Sequence, residues 1–539
     1  MIAQREVADR GSALIDALMR PEIYANRPPN VELCQTHISC AFLAGEYVYK
    51  IKKPVRFSFI DASTLDRRLH LCEEEVRLNR RLAPDIYLGV VPIRMGQGRL
   101  MLDETGTGAG EVREYAVKMR RLTEAGMLDR IVAAGAARPE HVAAIARRLA
   151  AFHQLADDAK GWTYGSAAAV WRLVVGNLRE VEEACATAVG EAELGELEGF
   201  LRSFVEARWR LLNDRALNGR VREGHGDLRC EHVSLADGAV TIIDCVEFSE
   251  ALRCVDVASD VAFLAMDLDR LGAPDLADTL VAAYREASGD VDVALLVPFY
   301  KVHRALVRAK VGCLTGRDPT ATPARKAAAA QAARDHLALA LGYARESAPA
   351  MLVICGMSGS GKSTVARRLA ERLGFEVLRS DVVRKRLAGV APTERLRADY
   401  KAGAYSREFT ERAYSELLRE AAQRLGAGAG VIVDATFGAS ERRAAARDVA
   451  ARAGLPILFV ECTASEREIM RRLAERERRA DDVSDAGVAT YLRQREEFAS
   501  LDEVPDRNRV RVDTAPGLDA AIGAIRQRLR NLRHADRRE

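Results

Sequence analysis

The stretch Gly356-Met357-Ser358-Gly359-Ser360-Gly361-Lys362-Ser363 matches the pattern G-x-x-x-x-G-K-[ST] at every fixed position. Its glycines let backbone N–H groups turn toward a phosphate without a Cβ in the way. The Lys362 side chain can reach the terminal phosphates, and the Ser363 hydroxyl can bind Mg²⁺. The stretch therefore predicts a site for a nucleoside triphosphate.

The flanking residues supply the structural context that this motif needs. Met351 to Cys355 is a short apolar run, typical of a buried parallel strand. Thr364 to Leu373 has the apolar spacing of a helix, whose N-terminus would point at the phosphates. The predicted nucleotide-binding residues are Gly356, Ser358, Gly359, Ser360, Gly361, Lys362, Ser363 and Thr364.

A second apolar run, Phe375 to Arg379, is followed closely by Asp381 and Arg384. Open parallel sheets bind ligands at the carboxyl ends of their strands, so Asp381 is expected near the terminal phosphate. There it could accept a proton from a substrate hydroxyl. Arg384 would share its helix face and could bind an anionic substrate group or the transferring phosphoryl. The alternative is a helix-capping aspartate with a surface arginine.

Two further segments fit the same kind of site. Gly430 to Val433 is apolar and ends in Asp434, a pattern in which the carboxylate holds Mg²⁺. Glu466 to Arg479 is an arginine-dense helix. It could be a mobile lid that donates arginine to the transition state, or simply a solvated helix.

Residues 351 to 512 resemble the small P-loop kinases, which include gluconate kinase, zeta-toxin-like kinases and the kinase domain of polynucleotide kinase. The resemblance rests on the Gly356 to Ser363 motif and on the D-x-x-R spacing of Asp381 and Arg384. It implies that Asp381 is the base and that Arg384 orients the substrate. It also implies ATP and Mg²⁺ as cofactors.

The first half contains a second set of residues suited to phosphate chemistry. His225-Gly226-Asp227-Leu228 precedes an alternating strand pair that ends at Asp244. The two ends of this hairpin bring Asp227 and Asp244 together, one to deprotonate a hydroxyl and one to hold Mg²⁺. Upstream, Lys50 lies on a predicted strand. Glu75 falls between the apolar stripes of a helix predicted over 66–83 and needs a cationic partner, for which Lys50 is the candidate.

These motifs resemble the aminoglycoside phosphotransferases and related protein-kinase-like small-molecule kinases, over about residues 30 to 310. The resemblance implies that Lys50 contacts the α- and β-phosphates, that Glu75 holds Lys50, that Asp227 is the catalytic base and that Asp244 binds Mg²⁺. The second metal ligand of that family, an asparagine, is His232 here, and imidazole is a poor partner for Mg²⁺. His153 matches a recurrent helix of the family, and we expect it to be a hydrogen-bonded core residue.

The whole chain resembles a bacterial two-domain family described as a bifunctional aminoglycoside phosphotransferase and ATP-binding protein. We therefore expect an α+β protein-kinase-like domain over 1–345, followed by an α/β P-loop kinase domain with a parallel sheet over 346–539. An aminoglycoside is polycationic and would need an acidic rim. Asp256, Asp260, Asp267 and Asp269 are acidic, but the first two are expected to be structural.

Composition places further limits on function. The 539 residues carry a net charge of +3 from 81 basic and 78 acidic side chains. This near balance disfavours a dedicated nucleic-acid or membrane-surface protein. Ten cysteines without a C-x-x-C pair fit a reducing cytoplasm. No signal peptide and no run of membrane-spanning length are recognised.

The sequence thus predicts an ATP-dependent kinase that acts on a hydroxyl of a small molecule and has two ATP-type sites. One alternative is a 5′-hydroxyl polynucleotide kinase, which would need a basic channel beside Asp381. Another is a P-loop ATPase regulated by a catalytically weak first domain, a hypothesis that His232 favours. Neither the phosphate acceptor nor the oligomeric state follows from the sequence.

Overall fold

The computed structural model describes residues 13–57, 60–96, 98–157, 161–318, 321–391, 406–479, 487–515 and 517–536. The chain forms two compact units. The first unit comprises residues 1–166 and 213–289, and the second comprises residues 167–212 and 290–539. The two units thus alternate along the chain. The division into functional domains at residues 345 and 346 stays a prediction.

The strands are β1 (Val31–Gln35), β2 (Ser39–Ala44), β3 (Tyr47–Lys52), β4 (Arg56–Phe57), β5 (Ile60–Asp61), β6 (Tyr87–Gly96), β7 (Arg99–Leu102), β8 (Glu111–Arg120), β9 (Val221–Glu223), β10 (Val233–Ser234), β11 (Thr241–Ile242), β12 (Cys254–Asp256), β13 (Met351–Cys355), β14 (Glu376–Arg379), β15 (Val431–Asp434), β16 (Ile457–Thr463) and β17 (Arg509–Asp513).

The helices are α1 (Leu65–Asn79), α2 (Leu128–Ala133), α3 (Pro139–Leu155), α4 (Gly161–Gly165), α5 (Ala167–Cys185), α6 (Glu191–Ala207), α7 (Trp209–Leu217), α8 (Glu250–Arg253), α9 (Val257–Arg270), α10 (Pro274–Ser288), α11 (Val293–Arg317), α12 (Pro323–Ser347), α13 (Lys362–Leu373), α14 (Ser380–Leu387), α15 (Arg407–Gly426), α16 (Ser440–Arg452), α17 (Glu466–Arg479), α18 (Val488–Glu497) and α19 (Leu518–Asp536).

The first unit is built on an antiparallel sheet with the strand order β1-β2-β3-β8-β6-β7. Side chains alternate across β3, so Tyr49 and Ile51 enter the apolar core while Lys50 and Lys52 share the other face. The β2–β3 hairpin turns at Gly45, whose φ of +67° suits glycine. This alternation places two lysines side by side on one strand.

Helix α1 packs against the same sheet and carries Glu75. Thr64 caps its N-terminus by accepting a hydrogen bond from the Arg67 N–H. The sequence predicted that this helix would continue to residue 83, but it ends at Asn79. The following residues close the helix with tighter turns. Pro84 then disfavours helical backbone at the residue before it.

The second unit contains a five-stranded parallel sheet with the order β14-β15-β13-β16-β17. All five residues of β13 are buried. Met351 and Val353 enter one apolar core and Leu352 and Ile354 the other, so the sheet has a core on each face. This is the predicted α/β arrangement. Strand β17, which the sequence did not predict, forms one edge.

Helices α5, α6, α11 and α12 belong to this second unit as well. Arg208 connects this helical part to the sheet region by an ion pair with Glu376 at 2.9 Å. A Cβ on Gly374 would lie 3.2 Å from Pro298 Cγ in α11, so the backbone at Gly374 packs closely against that helix. Within the described residues, no helix has both the length and the apolarity that crossing a bilayer requires.

Candidate active sites

The predicted phosphate-binding loop lies between β13 and α13 in the second unit. Gly361 precedes the helix with a φ of +86°, and a Cβ there would lie 2.9 Å from Thr514 Oγ1. Lys362 Nζ donates a hydrogen bond to Met357 O at 2.8 Å. Burial lowers the pKa of Lys362, against the opposing effect of Asp434. Burial destabilises the charged form of Lys362, so a bound phosphate would stabilise the ammonium by supplying a negatively charged partner.

Ser363 and Asp434 meet at the carboxyl end of the sheet. Ser363 Oγ donates to Asp434 Oδ2 at 2.6 Å. Burial raises the pKa of Asp434, although Lys362 and Ser363 act in the opposite direction. A hydroxyl and a carboxylate are the oxygen donors that Mg²⁺ prefers, so these two residues fit that ion.

Arg379, the last residue of β14, lies beside this pair. It is 3.4 Å from Ser363 Oγ and, through Nε, 3.4 Å from Asp434 Oδ2. The guanidinium is therefore a second cationic group near the predicted Mg²⁺ ligands, in addition to Lys362. Sequence reasoning missed Arg379, although its place at the carboxyl end of a parallel strand was a usable signal.

Asp381 and Arg384 lie on α14, directly after β14. The charge of Asp381 acts on the pKa values of both Lys362 and Asp434. Asp381 thus stands at the same edge of the sheet as the phosphate-binding loop. Arg384 is buried and donates to Thr410 Oγ1 at 3.1 Å. The structure thus places Asp381 near Lys362 and Asp434 and Arg384 against Thr410, and the catalytic roles of Asp381 and Arg384 stay predictions.

The arginine-dense helix α17 divides into exposed and inward-facing side chains. Arg471 is exposed and pairs with Glu468 and Glu475. Arg472 instead donates to Thr514 Oγ1 at 2.8 Å and to Thr514 O at 2.9 Å, beside Gly361. The charge of Arg476 acts on the pKa of Lys362. Among the described arginines of this helix, Arg472 and Arg476 are the two that these contacts and effects connect to the phosphate-binding loop.

Helix α18 adds a contact that the sequence did not reveal. Gln494 Oε1 accepts a hydrogen bond from the Ser358 N–H at 2.8 Å. That N–H belongs to the loop predicted to surround phosphate. The side chain of Gln494 thus occupies a hydrogen-bond position that a phosphate oxygen would use.

The first unit contains the predicted ion pair between Lys50 and Glu75, with Nζ and Oε1 2.8 Å apart. Glu75 Oε2 also lies 2.5 Å from Lys52 Nζ, and Lys52 in turn pairs with Glu247. Lys52, Glu75 and Glu247 are all buried. Burial favours neutral Glu75, but Lys50 and Lys52 outweigh that effect, so its pKa lies below the usual value.

Asp244 connects this network to the loop that carries Asp227. Its Oδ1 accepts from Lys50 Nζ at 2.7 Å, and its backbone N–H donates to Tyr87 Oη at 3.1 Å. Burial raises the pKa of Asp244, but the Lys50 ammonium opposes that effect, and the pKa lies well below its ordinary range. The Asp244 carboxylate is therefore charged and oriented.

Hydrogen bonds to the Asp260 carboxylate fix the loop that carries Asp227. Asp260 accepts from the His225 N–H at 2.7 Å and from the Gly226 N–H at 2.9 Å. Gly226 has a φ of +83°, which suits glycine. His153 is a buried core residue that contacts Tyr284 Oη at 2.8 Å and Asp260 Oδ2 at 3.4 Å, so that prediction is confirmed.

Arg229 lies next to the predicted base. Its Nε and Nη2 donate to Asp227 Oδ2 at 3.1 and 3.0 Å, and Nη1 donates to Glu231. Its Nη2 also lies 3.0 Å from His232 Nε2. The guanidinium therefore contacts the carboxylate that would have to deprotonate an acceptor hydroxyl.

Comparison with known proteins agrees with the two predicted types of domain. Residues 64–295 match the model of the phosphotransferase enzyme family, and residues 351–501 match the model of an AAA domain. An uncharacterized protein of Mycobacterium tuberculosis (strain H37Rv) is 35% identical over 498 residues, which are 92% of this chain and 94% of that protein. This chain belongs to the same family.

This chain thus joins a phosphotransferase-type domain to a P-loop kinase domain and is a kinase-type enzyme. Among solved structures, a gluconokinase from Sinorhizobium meliloti has a TM-score of 0.25 and 22% identity, over 35% of this chain and 95% of that one. A choline/ethanolamine kinase family protein from Mesorhizobium loti has a TM-score of 0.33 and 12% identity, over 62% and 99%.

Among the described residues, no group of three or more His, Cys, Asp and Glu side chains is arranged to hold a metal ion alone. Each site offers two donors, Ser363 with Asp434 and His232 with Asp244. Kinases commonly complete the coordination of the ion with substrate phosphate oxygens and water. Two protein donors per site are consistent with that arrangement.

Proposed function

We propose that the second unit transfers the γ-phosphoryl of ATP to a hydroxyl of a small molecule. The observation that carries this proposal is the convergence of Lys362, Ser363, Asp434 and Asp381 at one edge of the parallel sheet. ATP-dependent phosphotransfer needs a cation on the phosphates, donors for a divalent ion and a base for the acceptor. These residues supply all three.

The chemistry follows from the positions of the side chains. Lys362 would bind the β- and γ-phosphates, and backbone N–H groups of the loop would hold their oxygens. Ser363 and Asp434 would hold Mg²⁺, which neutralises charge on the phosphates when bound. Asp381 would accept the proton of the acceptor hydroxyl as the phosphoryl moves in line. Arg384 would orient the acceptor.

For the first unit we propose a second ATP site with the same overall reaction. Lys50 would contact phosphate, Asp227 would be the base, and Asp244 would be a metal ligand. The ion pairs around Lys50 support this, because they hold its ammonium in a fixed position. The contact between Arg229 and Asp227 favours a second candidate, in which this unit is catalytically weak and regulates the other.

The geometry disfavours a polycationic acceptor such as an aminoglycoside. Asp256, Asp260 and Asp267 are buried. Asp256 accepts two hydrogen bonds from Arg215, both at 2.7 Å, and Asp267 accepts from the Cys230 N–H at 2.9 Å. These carboxylates are used inside the fold, so they do not form an acidic rim. We propose an uncharged or anionic hydroxyl compound in the cytoplasm.

The experiment is a screen of small hydroxylated metabolites for ATP-dependent gain of one phosphate, detected by mass spectrometry. Asp381→Asn should abolish the product of the second unit, and Asp227→Asn should abolish that of the first. If Asp227→Asn changes no product, the first unit is regulatory. A 5′-hydroxyl oligonucleotide in the same screen tests the polynucleotide kinase alternative. If neither substitution reduces any transfer, the proposal is wrong.

A further inference from the structure

The two shortest contacts of the His232 ring indicate which of its nitrogens carries the proton. Nδ1 lies 2.8 Å from the Asp227 backbone oxygen, which can accept but not donate. Nε2 lies 3.0 Å from Arg229 Nη2, which can donate but not accept. Nδ1 therefore carries the proton, and the lone pair of Nε2 points toward a cationic group.

The lone pair of His232 Nε2 lies near one carboxylate oxygen of Asp244. Nε2 and Asp244 Oδ2 are 3.5 Å apart. The other oxygen, Oδ1, is the one that contacts Lys50. Two atoms that bind one cation at ~2.1 Å lie ~3 to 3.5 Å from each other, so this pair is spaced as neighbouring ligands. Oδ2 is available for that purpose without loss of the Lys50 contact.

The backbone contact of Nδ1 is also the one expected of a metal-binding histidine. Such residues usually donate their other N–H to a carbonyl or carboxylate, which fixes the ring and its tautomer. The Asp227 carbonyl plays this part for His232. His232 is itself buried, so its ring is held by the surrounding structure.

We infer that His232 Nε2 and Asp244 Oδ2 bind the divalent cation of the first unit, and that this site selects Mn²⁺ over Mg²⁺. Imidazole nitrogen suits transition-metal ions, whereas carboxylate and phosphate oxygens suit both Mg²⁺ and Mn²⁺. Of these two ions, Mn²⁺ is the transition-metal ion, so it is the one expected to accept the imidazole nitrogen as well as the oxygens. The inference rests on the proposed function, because the ion would arrive with the phosphates of ATP.

Arg229 Nη2 is the cationic group that contacts His232 Nε2. Its guanidinium also contacts Asp227 and Glu231. Binding of the ion would release the hydrogen bond from Nη2 to His232 and let Arg229 turn toward its carboxylate partners. The second unit differs, since its donors are the oxygens of Ser363 and Asp434. We expect that site to keep the usual preference for Mg²⁺.

The test uses the full chain with Ser363→Ala and Asp434→Ala, which removes both predicted metal ligands of the second unit. The protein carries ¹⁵N-labelled histidine and is mixed with Mn²⁺ and the non-hydrolysable analogue AMPPCP. Pulsed EPR then detects coupling between Mn²⁺ and a directly bound ¹⁵N. We expect this coupling in the parent, its loss in His232→Asn, and its retention in His70→Asn, the same substitution at an exposed residue of α1.

A Mg²⁺ competition gives the selectivity. The concentration of Mg²⁺ that displaces half of the Mn²⁺ should fall about tenfold in His232→Asn and stay unchanged in His70→Asn. Near-ultraviolet circular dichroism checks that each variant is folded. A Mn²⁺–nucleotide complex without ¹⁵N coupling, or with coupling that survives His232→Asn, overturns this inference but leaves the proposed function intact. If no Mn²⁺–nucleotide complex forms at all, both this inference and the proposed function of the first unit are overturned.

Discussion

The two predicted phosphate-binding lysines are held in opposite ways. Lys50 in the first unit lies between Glu75 and Asp244, at 2.8 and 2.7 Å, in a network that also includes buried Lys52 and Glu247. Lys362 in the second unit donates to a backbone carbonyl and forms no ion pair with any described residue. One ammonium is neutralised by the protein itself, while the other has its charge open to a ligand.

Because of this difference, the surroundings of Lys50 are expected to affect stability, whereas Lys362 is expected to affect mainly function. A buried charge that loses its partner is costly, so the network around Lys50 is expected to contribute to folding as well as to ATP binding. A buried lysine with a lowered pKa and no carboxylate partner contributes little to folding, and its charge is used when phosphate binds. Substitutions in the two units should therefore have different signatures.

The largest expected effect is that of Lys362→Ala on turnover at the second unit. A cationic group on the transferring phosphoryl is worth ~10³- to 10⁵-fold in rate, so we expect a loss of that size. The free energy of unfolding should change much less than it does when the network around Lys50 is broken, because removing Lys362 leaves no ion-pair partner without its charge. The measurement is phosphate transfer in an Asp227→Asn background, with Arg471→Ala as the exposed control. A large loss of stability would contradict the proposed contrast.

The next effect concerns the first unit and should appear in stability. Glu75→Ala leaves Lys50 and Lys52 without their shared carboxylate, and breaking such a buried pair costs ~3 to 5 kcal/mol. Urea denaturation measures the loss. Glu73→Ala, an exposed glutamate on the same helix, is the control and should change stability little. Equal stability of the two variants would show that the network does not hold the fold.

The parts of these sites that the sequence predicts are those determined by local sequence patterns. The phosphate-binding loop and its strand could be predicted because local sequence determines them. The ion pair between Lys50 and Glu75 followed from helix periodicity. Lys52 was missed, although two lysines that are two residues apart on a strand must share a face. Arg379 and Gln494 could not be assigned by periodicity, because their contacts join elements that are distant in the sequence.

The third effect is a pH dependence that belongs to the first unit. Burial lowers the pKa of His225 from 6.5 to about 4 in the folded protein. The unfolded chain therefore binds a proton first as pH falls below 6.5, and stability is lost between that pH and 4. At pH 4.5 the cost is ~2 to 3 kcal/mol. Above pH 7 both states are neutral and the effect is zero.

His225→Gln tests this dependence because glutamine does not titrate. The stability difference between the variant and the parent should shift in favour of the variant by ~2 to 3 kcal/mol between pH 7 and pH 4.5. Urea denaturation at the two pH values gives the difference, and other titrating groups cancel in the subtraction. A difference independent of pH would mean that the pKa of His225 is the same in the folded and the unfolded protein.

The smallest expected effect belongs to Gln494, which competes for the Ser358 N–H at the second unit. Gln494→Ala frees that N–H for a phosphate oxygen, and one neutral hydrogen bond is worth ~0.5 to 1.5 kcal/mol. ATP should therefore bind ~2- to 10-fold more tightly, as measured by calorimetry in the Asp227→Asn background. Gln423→Ala, an exposed glutamine on α15, is the control.

The salt dependence of this last effect distinguishes its cause. Gln494 is neutral, so the ratio of the two dissociation constants should be the same at low and high ionic strength, whereas an effect of charge would be screened. Weaker ATP binding in Gln494→Ala would instead show that the side chain contacts the nucleotide. In that case contacts that exist before ATP binds would position the site of the second unit, as they do in the first. Lys50 and Lys362 would then differ less in how the protein holds them.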